Sequence, residues 1–549
     1  MQSGAQARPL VWLLVVAALM SLGVGCRTTA TDLNRWANTK QGPKKIIAVL
    51  VHDKYPLDLR VTAAMTLVNM KPRNGKRVGI VGDEGDEENP GLIEALAELE
   101  PNDRSNIVGR MIPALVAGMS APVPEAPAGQ APVDPSFPFK DTAYALLTYE
   151  QAQLVTNAKD RAALDAALAS WCVTDFARRV DDASQLYGVE QVLKYLKAEG
   201  VRQMPALLVP DAPKIDLMAK LIAELGDEQT KLAASKRLVD IAKSVNSDAW
   251  KKNMAPSVDA ANKASKLSPT KDQFEAQLDQ YQEETLLKVF ASMKQVGRAP
   301  IVDYLLDFAS TEGHADKKRA AALAALEGNL VTCKGGNDCD ARTVKNVNRV
   351  LEIARSDGAP DMVRDQALRR IGEMPRQLVV DKLYALFKNE KWKIRWMAAD
   401  LVLTMSKDSQ VDEFMTKLDE ATTKLAIAEP LQYGFRLGEL KGKTKPEALA
   451  DRYATPDHDA VVRTTALGYF FHHGKATDLP HVMKYADDNA KVPDAPECEN
   501  AVGCAWECEV AEGTSSTVKE IKTIGEFVTY CVKPAMEKRK DDKKKDPKK

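Results

Sequence analysis

One helical face recurs along this chain, each time behind a basic residue. Arg60 is followed by Ala63, Ala64, Leu67 and Met70, and Arg395 by Ala398, Ala399, Val402 and Met405. Arg364 precedes Ala367, Leu368, Ile371 and Met374, and Arg319 precedes Ala322, Leu323, Ala325 and Leu326. Offsets of three, four and seven residues place these side chains on one side of a helix, with small residues where a neighbouring helix must come close. A copy at Arg463 keeps Ala466, Leu467 and Phe470, and a weaker one sets Lys231 before Ala234, Leu238 and Ile241. A second amphipathic stretch and a short polar turn precede each copy, as in Ile46–Val51 with His52–Pro56, or Leu383–Phe387 with Lys388–Lys391. Helix, turn, helix, repeated, predicts an all-α solenoid. Aromatic residues are only 6% of the 549 positions, which also favours packed helices over sheets.

The strings Leu59-Arg60, Val363-Arg364, Ile394-Arg395 and Val462-Arg463, each leading into small residues, resemble the second helix of HEAT repeats, especially the bacterial PBS-lyase-like form. The resemblance implies an α-solenoid of HEAT-like helix pairs. It also implies that Arg60, Arg319, Arg364, Arg395 and Arg463 form a ladder tying each turn to its neighbour through carbonyls and carboxylates, with Asp53, Asp361 and Asp459 placed to take part. It does not bring a lyase activity. A row of arginines that binds anions is the competing reading. At the 40 or so residues of such a unit, residues 31–490 hold roughly ten or eleven, of which five or six are distinct. The gap between Arg395 and Arg463 predicts a degenerate repeat around Val411–Leu440. Six prolines in Ala121–Lys140 predict a loop or linker, dividing N-terminal repeats (26–120) from the main array (141–490).

The first 25 residues read as a signal peptide: Arg8, then an apolar run from Leu10 to Gly25 shorter than a membrane span. Leu22-Gly23-Val24-Gly25-Cys26 resembles the lipobox of bacterial lipoproteins, with its leucine four rather than three residues before the cysteine. That resemblance implies lipid attachment at Cys26 and, with Arg27 rather than Asp next, an outer-membrane address in the cell envelope. Ordinary export and an uncleaved anchor are the alternatives. Of the other seven cysteines, Cys333 and Cys339 close a small polar loop with two glycines. Cys498, Cys504, Cys508 and Cys531 crowd a C-terminal cap at 491–532, where three pairings are open. Disulfides suit export better than zinc does, because the spacing lacks paired knuckles. Cys172 reads as a buried small apolar residue. Ser516-Thr517 opens the cap's expected helix, on which Ile521, Ile524, Phe527 and Val528 share a face. Residues 533–549, nine basic against four acidic, read as a disordered basic tail.

A formal net charge of −1 argues against a nucleic-acid partner. His472, His473, His481 and His458 cluster in sequence but offer no pair at helical spacing for a metal. Asp83, Glu84, Asp86, Glu87 and Glu88 lack the register of a calcium loop. No nucleophile elbow, phosphate-binding loop or dinucleotide fingerprint is present. The expectation is therefore a protein that is not an enzyme, has no cofactor or metal, and serves as a membrane-anchored scaffold for an unidentified envelope protein or peptide. A structural tether or spacer is the second reading, and a metal-dependent enzyme or binder the third.

Overall fold

A computed structural model of the chain describes residues 28–542, apart from 74–77, 83–90, 125–132, 332, 335–337, 357, 422, 441–444, 498–502 and 513–514. The signal peptide, Cys26, Cys498, the acidic run at 83–88 and residues 543–549 lie outside the described residues. The chain forms two compact units, Met1–Ile241 and Ala242–Lys549. Of the described residues 68% are helical, and among them the sheets are two antiparallel two-stranded hairpins. The protein is an all-α solenoid of helix pairs with a small disulfide-stapled C-terminal cap.

In the first unit, Ala30–Ala37 opens on a reciprocal cap in which Thr29 and Asp32 each bond the other's backbone amide. The pair Gly42–Val51 and Leu57–Val68 follows, joined by the polar turn at 52–56. Ile46, Leu50, Ala63, Ala64 and Leu67 are all fully buried; the two alanines let the helices approach closely. Helices Leu92–Ala97, Pro101–Met119, Phe137–Thr148 and Ala158–Val173 come next, then shorter ones and Ile215–Leu225. The proline-rich stretch expected to be loop through Lys140 is helical from Phe137 onward. Pro138 sits in that helix's first turn, where a missing N–H costs nothing.

After the end of helix Glu228–Val245, the second unit holds Asp248–Ala264 and the 26-residue helix Lys271–Val296. Five pairs then follow: Ala299–Ser310 with Asp316–Ala324, Ala341–Arg355 with Asp361–Gly372, Arg376–Ala385 with Trp392–Thr404, Val411–Asp419 with Ala428–Glu439, and Pro446–Arg452 with Ala460–His473. First helices open at Ala341, Arg376, Val411 and Pro446, three equal steps. The longer step before them holds the inserted ladder in which Cys333 pairs with Cys339. The degenerate repeat is a true pair with Leu431 where its neighbours carry arginine. The last two pairs approach backbone to backbone: a Cβ on Gly434 would strike the backbone of Gly468, and one on Gly468 the carbonyl of Pro430.

The cap departs from the expected single helix. Ser515–Glu520 is a strand, paired with Glu507–Glu512, because Thr517 and Val518 favour extended backbone and the real helix start lies later. Thr523 is that start, forming a capping box with Glu526. Ile521, Ile524, Phe527 and Val528 are all buried, and Cys508 is bridged to Cys531 with Cα atoms 5.7 Å apart. Residues of the expected disordered tail are also ordered: Lys533–Asp542 is helix. Fully buried Met536 and the Arg539 guanidinium hold it to the last helix of the array.

Candidate functional site

Each of the five arginines is the fourth residue of its pair's second helix. The last carbonyls of a helix have no partner within it, and the guanidinium supplies one. Nε of Arg60 donates to the Leu50 carbonyl at 2.8 Å, that of Arg319 to Ala309 at 2.9 Å, that of Arg364 to Ala354 at 3.1 Å and that of Arg463 to Ala454 at 3.0 Å. Carboxylates complete the set: Asp103 at 2.8 Å from Arg60, Asp361 at 3.2 Å from Arg364, and Asp488 on Arg463. Arg319 has Asp316 3.9 Å away. Asp53 and Asp459 do not take the places the repeat pattern offered them. Asp53 lies against His52, because the Arg60 guanidinium pairs instead with Asp103 of Pro101–Met119. Asp459 caps its own helix through the Val461 amide.

Arg395 differs. Its Nη1 donates to the carbonyls of Asn389 and Glu390 at 2.7 and 2.9 Å, and its other nitrogens hold Glu429 at 2.8 and 3.3 Å. Glu429 is fully buried and also accepts from the Ala426 amide and the Tyr433 hydroxyl. Burial pushes its carboxyl above the ordinary range against the pull of Arg395. The pair ties the third helix pair of this series to the fourth.

Three turns of the second unit, those leading into Asp361–Gly372, Trp392–Thr404 and Ala428–Glu439, border an open groove of about 840 Å³. Its lining includes Arg364, Lys388, Lys391, Lys393, Arg395 and Lys424 against Asp361, Glu390 and Glu497, with Trp392 among them. The C-terminal segment makes the far wall. Asp494 pairs with Lys424 in a parallel bridge and its carbonyl accepts from the Leu425 amide at 3.0 Å, which seats Pro496 and Glu497 on the groove. Lys393 reaches Asp361 at 3.5 Å. Arg364 and Arg395 stay below the surface, so the lysines carry the accessible charge. Such a surface can hold an anionic or mixed-charge ligand; it presents no nucleophile with an adjacent base.

A buried polar cluster in the first unit was not foreseen from sequence. Lys140 and Asp141 are fully buried and 2.6 Å apart. Asp141 accepts from the amides of Leu186 and Tyr187, and Lys140 donates to Gln185 and the Tyr187 carbonyl. Beside them Asp134 accepts from Ser136, Arg178 and Arg179, and the Trp171 indole donates to Ser136 at 2.7 Å. The Trp171 ring has the Lys140 ammonium 5.0 Å and the Arg179 guanidinium 4.4 Å from its centre. The signal available was a Lys-Asp dipeptide inside an otherwise apolar helix. Adjacent Cys172 is fully buried, and burial pushes its thiol up to about 12 against the pull of Lys140 and Arg179; it is neutral and inert near pH 7.

Cys339 and Cys504 are each engaged in a disulfide, and Cys508 is bridged to Cys531. Cys333 stands opposite Cys339 in its ladder. His473 stacks on Phe435 and bonds its carbonyl at 2.8 Å, while His472 is held below the ordinary imidazole range by burial and by His473 and Arg539. Among the described residues no group of three His, Cys, Asp or Glu side chains is placed to hold a metal ion, and no helix is long and apolar enough to cross a membrane.

No protein-family model matches the chain, and none of the curated proteins does. Among solved structures, the crystal structure of a Kap121p mutant aligns over 83% of this chain at 12% identity and a TM-score of 0.30. The chain spans 46% of that protein's length. The crystal structure of an engineered protein aligns over 81% of this chain and 94% of its own, at 14% identity and a TM-score of 0.20. Similarities of this size carry no argument about function.

Proposed function

We propose that this chain is an exported, lipid-anchored protein built of HEAT-type repeats, acting as a protein-binding scaffold in the cell envelope, on the outer membrane, with no catalytic role. The observation that carries the binding reading is the groove across three successive turns, because stacked helix pairs offer continuous surfaces to elongated partners. Its floor is tied down by Arg364 and Arg395, so little order would be lost on binding. The address rests on the apolar run before Cys26 and on the lipobox-like Leu22–Cys26. Four cysteines engaged in disulfides suit an oxidising compartment.

The test is covalent cross-linking in intact cells, followed by isolation of the tagged full-length chain from the membrane fraction. One reproducible envelope protein, recovered in fixed proportion, is the expected result. Cys26→Ser should move the chain out of the detergent-rich phase. Recovery of lipid and wall material alone would replace the scaffold with a tether.

A further inference from the structure

Resting on the scaffold reading, we propose that the groove between the turns at 359–364, 388–395 and 423–425 receives an extended peptide segment in which acidic residues flank an apolar one. Length is the first argument. Three neighbouring helices packed about 8–10 Å apart give a track of about 16–20 Å, which five or six residues of extended chain fill at about 3.3 Å each. Charge is the second. Lys388 and Lys393 are exposed on the groove, whose lining also includes the buried Arg364 guanidinium, paired with Asp361. Carboxylates of Asp361, Glu390 and Glu497 share the same walls. A nucleic acid or polyphosphate, negative at every step, would meet those carboxylates unfavourably; a peptide can alternate acidic, apolar and amide groups to suit them. Trp392, half-buried in the middle turn, supplies a flat apolar seat with an indole N–H at its edge. The buried Arg395–Glu429 pair fixes the angle between the second and third turns, so the track exists before the peptide arrives.

The experiment titrates the full-length protein with a fluorescein-labelled decapeptide in which acidic and amide residues alternate around one leucine, Gly-Ser-Asp-Gln-Leu-Asn-Glu-Gly-Ser-Gly, and reads anisotropy. Saturable binding that weakens with salt is expected. Lys388→Glu combined with Lys393→Glu should weaken it about tenfold, with Lys388→Gln and Lys393→Gln between the two. Both sites are exposed, so the circular dichroism melt should not move. The same reversal at Lys266 and Lys271, outside the groove, should leave binding unchanged. The proposal is overturned if the peptide does not bind, if charge reversal leaves binding intact, if the Asn/Gln version of the peptide binds equally well, or if heparin displaces the peptide at lower charge equivalence. Cellular cross-linking with the double reversal separates this from the scaffold reading. A partner captured equally by wild type and variant leaves the scaffold standing on another face and removes the groove. Capture from neither removes the scaffold itself.

Discussion

Arg364 shows how a single side chain joins two helices. It bonds the carbonyls of Ala354 and Ser356 and the carboxylate of Asp361; only the first of these bonds is buried, and a charged hydrogen bond to a buried partner contributes about 1.5–3 kcal/mol, while the two nearer solvent add little. Arg364→Ala should therefore lower the urea stability of the second unit by about 2–3 kcal/mol. Arg364→Lys should recover less than half, since one ammonium cannot span the planar fork's partners. Exposed Arg369→Ala should change stability by less than about 0.5 kcal/mol. A second residue-scale expectation concerns acid. Burial would raise the Asp134 carboxyl, but Ser136, Arg178 and Arg179 more than offset it and hold it below the ordinary carboxylate range. A depressed folded value means stability that is present above the unfolded pKa and is lost as pH falls through the folded one. Asp134→Asn should thus cost most near neutrality, and its deficit should shrink in melts taken below about pH 4. A constant deficit from pH 7 to pH 2 would contradict this.

At the scale of elements, the contact between Ala428–Glu439 and Ala460–His473 depends on having no side chain at Gly434 and Gly468. Gly468→Ala forces a methyl into the Pro430 carbonyl and should destabilise by about 1–3 kcal/mol. Gly109→Ala, inside Pro101–Met119 and 3.7 Å from its nearest neighbour, should instead stabilise by up to about 1 kcal/mol. Thermal melts of the two variants give the comparison. The repeat was legible in the sequence because its constraint is local: the arginine is the fourth helical residue, from which it reaches carbonyls at the end of the preceding helix or in the turn just after it. Where the partner is distant, local pattern loses the signal. The weak copy aligned on Lys231, yet the residue that caps a carbonyl there is Arg237, on Leu208. Arg539 sits in a run that reads as a charged tail, and its bonds to Phe470, Phe471 and Gly474 cross about seventy residues of chain. Ser516-Thr517 reads as a helix cap because Ser and Thr cap helices, while their strand partner at 507–512 is set by pairing that no local window contains. The candidate groove was legible only as a polar turn at 388–391. Its far wall comes from residues 494–497, which return from the cap to pair with the turn at 424–425.

For the whole molecule, the central claim is that the turn face of the second unit is where a partner protein lies. The most direct measurement places a photo-activated cross-linking amino acid at Lys388 in the full-length chain, in living cells, with a second version carrying it at exposed Lys220 of Ile215–Leu225. Illumination should give one discrete higher-mass adduct from position 388 and none from position 220, and Lys393→Glu should weaken the adduct without altering the amount of the chain. No adduct at 388, or the same ladder of adducts from both positions, would contradict the account.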